Sequence, residues 1–398
     1  MTTMQSQKLR LYLYTAAICS TALLGCMANN IVGPLLGDIM RQYAISLDRG
    51  GMMSLYQNIG GVLSILLLAI VMDRLNKPIA MFAPFILLPV CLLLIGATPP
   101  YAVFMLLYLL FGISLSTMDM IGNAIMPDIH PEKRDAALSL LHGSAPVGAL
   151  IVPLFAGALL DAGTPWQTAY TIIGIISVLL LLFYAVTFTM AKRTLHAERA
   201  QREGHEPGAL KRILRDQRVL IAAGCVLLFG AFQSGVVVWT AQYCKEVFGV
   251  NAVLAGLPIT VYWVATGIMR ISFSFTRLKS LATRPVLLYG SIAAGVTLFL
   301  GLLSHSYAVL LVSIFVTGGL NAPVIPRAVG LATGWYPRNT GLSSSAVVTA
   351  LYIAFGSAPF LMGAVAERFG IQVILYLPAA FTALAGVLAV FLPKEAKA

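Results

Sequence analysis

Twelve apolar stretches, most of 20 residues or more, follow one another through nearly the whole chain. They run over about 11–40, 50–72, 78–98, 101–126, 134–160, 166–190, 217–244, 250–276, 284–304, 306–335, 338–366 and 371–393. About 20 apolar residues carry a helix across a bilayer, and a helix satisfies all its backbone groups within one segment. The pattern predicts an all-α polytopic membrane protein with twelve transmembrane helices. Of the 398 residues, 59% are apolar and 10% are charged. Ordinary soluble domains carry roughly 25% charged residues, so no soluble core accounts for this chain. Several stretches hold Gly and Pro, including Gly33-Pro34, Gly148, Pro153, Pro323 and Pro326, which membrane helices tolerate when neighbours satisfy the freed backbone groups. The first apolar run is too long for the h-region of a cleaved signal and reads as a retained span.

The basic residues set the orientation. Arg41, Arg49, Lys245 and Arg368 fall on one side, and Arg270 and Arg327 fall within spans. The other 20 of the 26 Lys and Arg lie on the side of the termini. By the positive-inside bias, both termini are expected in the cytoplasm, with the protein in a bacterial inner (plasma) membrane. The net charge of +11 is thus spent on membrane flanks, and no nucleic-acid partner is expected, since there is no basic face on a polar scaffold. Cys19, Cys26, Cys91, Cys225 and Cys244 are scattered, without a C-x-x-C pair. They read as lone core thiols, and neither a metal site nor a cofactor is expected.

The only long polar gap, about 191–216, divides six spans from six. It reads as a solvated linker with a short surface helix. Expected domains are therefore an N-terminal six-helix bundle over 1–190, the cytoplasmic linker 191–216 and a C-terminal six-helix bundle over 217–398. That is the layout of two repeated halves about an axis normal to the membrane.

After the second span come Ala69, Asp73-Arg74 and Asn76-Lys77. Together with the six-plus-six layout, this loop resembles the signature of the major facilitator superfamily, with Ala69 and Asn76 standing at that pattern's Gly positions. The resemblance implies a conformational latch at Asp73 and Arg74, the carboxylate meeting the positive N-terminus of the helix that opens near Asn339-Thr340. The equivalent place in the second half reads Thr276-Arg277, without a carboxylate. From Gly112 the chain reads G-I-S-L-S-T-M-D-M-I-G-N-A-I-M-P, and from Arg134 R-D-A-A-L-S-L-L-H-G-S-A-P-V-G-A. This stretch is similar to the fucose permease family of sugar/proton symporters, which has an acid four residues before an Asn in the fourth span. Asp119 and Asn123 stand at those places. Gly230, Gln233 and Trp239 resemble that family's seventh span. In the first span the family has Asn followed by Asp, whereas this chain has Asn29-Asn30.

Asp119 lies seven residues before Met126, about 10 Å from that helix end. A carboxylate in hydrocarbon costs at least ~2.5 kcal/mol, so it is kept for function or for a partner. Asn123 shares its face, and His142, eight residues into the next span, reaches a similar depth. Asp119 and His142 are the expected proton-coupling residues. Their bland readings are a structural hydrogen bond or ion pair, and a packing histidine. Candidates for holding a solute are Asn29, Asn30, Gln57, Asn58, Asn123, Gln233, Trp239, Gln242, Tyr262, Asn321 and Arg327. Interhelical hydrogen bonding is the rival for each amide, the aromatic belt for Trp239, and a carbonyl-bonded arginine at a kink for Arg327. Arg270 reads as snorkelling toward the surface.

The resemblance implies a secondary transporter, proton-coupled and working by alternating access on a small polar organic solute, sugar-like as a first expectation. The alternative in the same fold is a proton-antiport exporter of a drug, metabolite or anionic siderophore-like product. An enzyme is not expected, because no nucleophile, base or metal ligands cluster near an interface and the loops are too short for an ATPase module. The partners are then the solute, protons and the lipid bilayer, with a monomer favoured.

Overall fold

A computed structural model describes residues 3–71, 75–130, 134–195, 209–275, 281–336 and 339–393. Among them there is no strand, and twelve helical segments are long and apolar enough to cross a membrane. The first six spans are α1 (Thr3–Asn30), continued by α2 (Val32–Tyr43); α3 (Leu47–Val71); α4 (Lys77–Ala80) with α5 (Phe82–Gly96); α6 (Tyr101–Ile129); α7 (Arg134–Asp161); and α8 (Gln167–Leu195). A short helix, α9 (Ala209–Arg215), precedes the second six. These are α10 (Gln217–Phe248); α11 (Ala252–Phe275); α12 (Thr283–Leu303); α13 (Tyr307–Asn321) with α14 (Val324–Trp335); α15 (Thr340–Phe369); and α16 (Tyr376–Leu388). The twelve-span expectation holds. Asp73 and Arg74, the expected latch, lie outside the described residues.

The chain forms two compact units. One comprises Met1–Val32 and Tyr56–Glu203, the other Gly33–Leu55 and Gly204–Ala398. In the first, α1 packs on α7 and α8, and α5 on α6 and α8. In the second, α10 packs on α15 and α16, and α12 on α13 and α16. The segment 33–55 belongs to the second unit by its contacts, although the sequence places it in the first two spans.

Proline explains where helices break and which side chains repair them. Pro34 has no N–H for the carbonyl four residues back and its ring crowds that carbonyl, and α1 ends there, at Asn30. Pro326 likewise leaves Ala322 without its helical donor. The break between α13 and α14 falls at Ala322-Pro323, and Arg270 Nε points at the Ala322 carbonyl from 3.5 Å. Pro258 frees the Leu254 carbonyl, which the Tyr307 hydroxyl bonds at 2.6 Å. The carbonyls of Ala322 and Leu254 thus each draw a side chain from a neighbouring span.

Close backbone approach explains the glycines of spans two and four. A Cβ on Gly112 would stand 1.7 Å from the Gln57 carbonyl oxygen, and one on Gly60 would stand 2.0 Å from the Leu109 carbonyl oxygen. Only glycine permits α3 and α6 to cross at that distance.

Candidate functional site

In the first unit, helical periodicity puts Gly112, Asp119 and Asn123 on one strip of α6. The Asn123 amide donates to the Asp119 backbone carbonyl at 2.9 Å. It is also within hydrogen-bond reach of the Asp119 carboxylate, whose charge is felt by His142 on α7. Asp119 and His142 are exposed, whereas Met118, Ile121 and Leu141 beside them are buried. The pair therefore faces out of the packed core of its unit, at mid-helix. About two turns along α6 from Asp119, where Gln57 meets Gly112, the Gln57 amide donates to Asn29 Oδ1. Asn58 is half-buried beside them. Asn30 is 1% exposed, and its amide bonds back to the Cys26 carbonyl at 2.8 Å, closing the first turn before the helix break.

In the second unit three buried amides keep an atom without a hydrogen-bond partner among the described residues. They are Gln233 Oε1 on α10, Asn321 Nδ2 at the end of α13 and Asn339 Oδ1 just before α15. Asn321 Oδ1 accepts from Thr382 Oγ1 at 2.9 Å, so the amide is oriented with its nitrogen left over. Tyr262 is 1% exposed and packs edge-on against Phe232 and Trp263. An unpaired buried amide atom costs about 1–3 kcal/mol, which marks these positions for a bound molecule or ordered water.

The remaining candidates are engaged elsewhere. Trp239 is fully buried, and its Nε1 donates to the Pro359 carbonyl at 3.1 Å. Gln242 bonds Glu246 and lies against Gly37. Arg327 stacks over the Phe273 ring at 5.2 Å and bonds the Leu281 carbonyl, with Thr283 Oγ1 at 3.5 Å. Its guanidinium reaches the start of α12, where the chain re-enters the helix. Arg270 is half-buried and turns its Nε toward the carbonyl at the helix break.

Trp239 and Gln242 belong to a seam within the second unit. There 33–55 packs on α10 and α15. A Cβ on Gly33 would stand 2.1 Å from the Val237 carbonyl oxygen, and one on Gly51 would stand 2.4 Å from that of Pro359. Lys245 pairs with Asp38 at 3.1 Å, and the Leu47 N–H donates to Glu367 at 3.0 Å. Lys245 and Glu367 escape a sequence reading because each sits near a helix end, and Asp38, within the short α2, stands like them among ordinary interfacial charges. The recurrence of Gly33, Gly37, Gly51 and Gly363 is the signal that exists.

Among the described residues no group of three or more His, Cys, Asp or Glu is arranged to hold a metal ion.

The geometry defines an integral membrane protein with polar groups set within its spans. The family model of the Major Facilitator Superfamily matches residues 18–282 and 275–398. The chain belongs to this superfamily and is a transporter. It is 21% identical over 304 residues to the TsgA homolog of Buchnera aphidicola subsp. Schizaphis graminum, covering 76% of each chain. It is 23% identical over 378 residues to transporter y4wD of Sinorhizobium fredii, covering 92% of this chain and 93% of that one. Among solved structures, a bacterial homolog of the human lysosomal transporter Spinster shares the fold with TM-score 0.78 at 14% identity, over 95% of this chain and 96% of that one. The nucleoside transporter NupG matches with TM-score 0.78 at 13% identity, over 98% and 100%.

Proposed function

We propose that this chain is a proton-coupled secondary transporter that carries a small polar organic solute, sugar-like as a first choice, by alternating access. The observation that carries the reading is the Asp119, Asn123 and His142 group. An ionisable acid stands at mid-span, faces out of its packed unit and has an imidazole within electrostatic reach. A carboxylate so placed exchanges its proton as access changes, and His142 changes the cost of its charge. Asn29, Gln57, Asn58 and Asn123 of the first unit, and separately Gln233, Tyr262 and Asn321 of the second, are the groups proposed to meet the solute. The leftover amide atoms of Gln233 and Asn321 supply one acceptor and one donor, a complement to hydroxyl groups. Both in-span arginines are engaged with carbonyls, which supports a neutral solute over an acid.

A proton-antiport exporter of a drug, metabolite or siderophore-like product is the second reading. Asn29-Asn30 favours it, because the first span lacks the acid that the sugar symporters carry there. Proteoliposomes with an imposed pH gradient decide between them. Under the first reading, an inward proton gradient drives uphill sugar entry, and Asp119→Asn abolishes accumulation while exchange of labelled for unlabelled solute persists. Undiminished uphill transport by Asp119→Asn overturns the role of Asp119. Solute extrusion against an inward proton gradient establishes the antiporter.

A further inference from the structure

We propose that the face carrying Lys211, Leu214, Arg215 and Arg218 docks the headgroup of an acidic phospholipid in the leaflet on the side of the chain termini. On α9 Ile213 is fully buried, and the helix packs on α10 and α15. At 100° per residue, Lys211 and Arg215 stand about opposite Ile213, and both are exposed. Leu214 flanks them at 49% exposure, and Leu220, one turn into α10, is 53% exposed. Between 211 and 218 there are four cations and a single acid, Asp216. That acid is already taken: Arg218 Nη2 and the Tyr336 hydroxyl each reach Oδ2 at 2.8 Å. The net field of the patch is therefore positive.

Two aromatic rings fix its depth. Arg218 lies over Trp335 at 5.4 Å and Arg212 over Tyr336 at 5.9 Å. Trp and Tyr settle at the headgroup level of a bilayer, which puts these cations level with lipid phosphates. Exposed leucines interleaved with the cations require an occupant that is anionic at one end and apolar at the other. An acidic phospholipid has that form, and a soluble anion does not.

The test uses the full-length protein in phosphatidylcholine vesicles. A fixed minor fraction of the lipid is brominated on its acyl chains, as either phosphatidylglycerol or phosphatidylcholine. Trp335 is half-buried, whereas Trp166, Trp239 and Trp263 are buried, so Trp335 is the reporter. Brominated phosphatidylglycerol is expected to quench more strongly than brominated phosphatidylcholine, with the excess absent in Trp335→Phe. The double variant Lys211→Gln/Arg215→Gln is expected to lower the preference by roughly tenfold or more, at about fivefold per cation. Arg368→Gln, on the opposite side, keeps it. Equal quenching by the two lipids, an undiminished preference in the double variant, or displacement by inorganic phosphate overturns the proposal. Both substituted side chains are exposed, and an unchanged melting temperature confirms that the variant is folded.

Discussion

Lys245 Nζ stands 3.1 Å from the Asp38 carboxylate and 3.2 Å from the Pro34 carbonyl oxygen, joining α2 to α10 across 207 residues of sequence. The two side chains are 20% and 18% exposed, so water screens the pair only in part. Removing one partner strands the other, at about 3–5 kcal/mol when fully buried and under 1 kcal/mol at the surface. An intermediate loss of about 1–3 kcal/mol is expected for Lys245→Met, which leaves Asp38 with the exposed Arg41 among the described residues. Asp38→Asn should cost less, because Lys245 keeps the Pro34 carbonyl. A double-mutant cycle of thermal unfolding in detergent checks the coupling. The buried thiol of Cys244 gives a second readout. Its labelling by a bulky maleimide should quicken in both single variants if this seam parts during turnover.

The crossing of α3 and α6 predicts a contrast between two glycines. Gly112→Ala drives a methyl group into the Gln57 backbone. No rotamer relieves that clash, so the spans must separate, at a cost of about 1–3 kcal/mol. A Cβ at Gly267 meets nothing within 4 Å, and Gly267→Ala should be neutral or stabilise by up to about 1 kcal/mol. Melting temperatures of the two variants in the same detergent decide the matter. Equal losses would remove close approach as the reason for Gly112.

The twelve spans were legible because each carries its own length and apolarity. The nearness of Asp119 to His142 was also legible, since helical rise fixes the depth of each on adjacent, oppositely running spans. Rotation of a helix about its axis was much less so, because every face of these spans is apolar. Nothing local therefore told that Asn30 bonds back to Cys26 whereas Gln233 keeps a free acceptor. Arg327 illustrates the same limit: its depth suggested a buried group, yet a long side chain spans the distance to Leu281. The pairing of Asp38 with Lys245 needed the packing of segments that the sequence sets far apart.

Asp216 caps α10, accepting from the Arg218 N–H at 2.9 Å. Its carboxyl is held down at about 2, first by the hydrogen bond from the Arg218 side chain, against opposing desolvation, with help from the Tyr336 hydroxyl. A depressed folded value means that the ionised form is favoured in the native state. The resulting stability is complete above the unfolded value near 4 and is lost as pH falls through about 2. Asp216→Asn keeps a capping side chain but loses the charge. Its melting temperature should lie below that of the wild type by a constant amount above about pH 4, and the gap should close toward pH 2. A gap that persists at low pH would assign the effect to packing.

Tyr307 and Pro258 should compensate each other. In an uninterrupted helix the Leu254 carbonyl would accept from the N–H of residue 258, which proline lacks. The Tyr307 hydroxyl fills that role at 2.6 Å. Tyr307→Phe removes the donor and should cost about 1 kcal/mol, because the carbonyl lies near the end of α11, where water replaces part of the bond. Pro258→Ala restores the backbone donor. If the hydroxyl acts through that carbonyl, adding Tyr307→Phe to Pro258→Ala should cost much less than Tyr307→Phe does in the wild type, although alanine at 258 shifts the baseline on its own. Additive losses across the four proteins, measured by thermal unfolding, would show that Tyr307 acts through its packing on Phe248 of α10 and not by replacing the donor that Pro258 lacks.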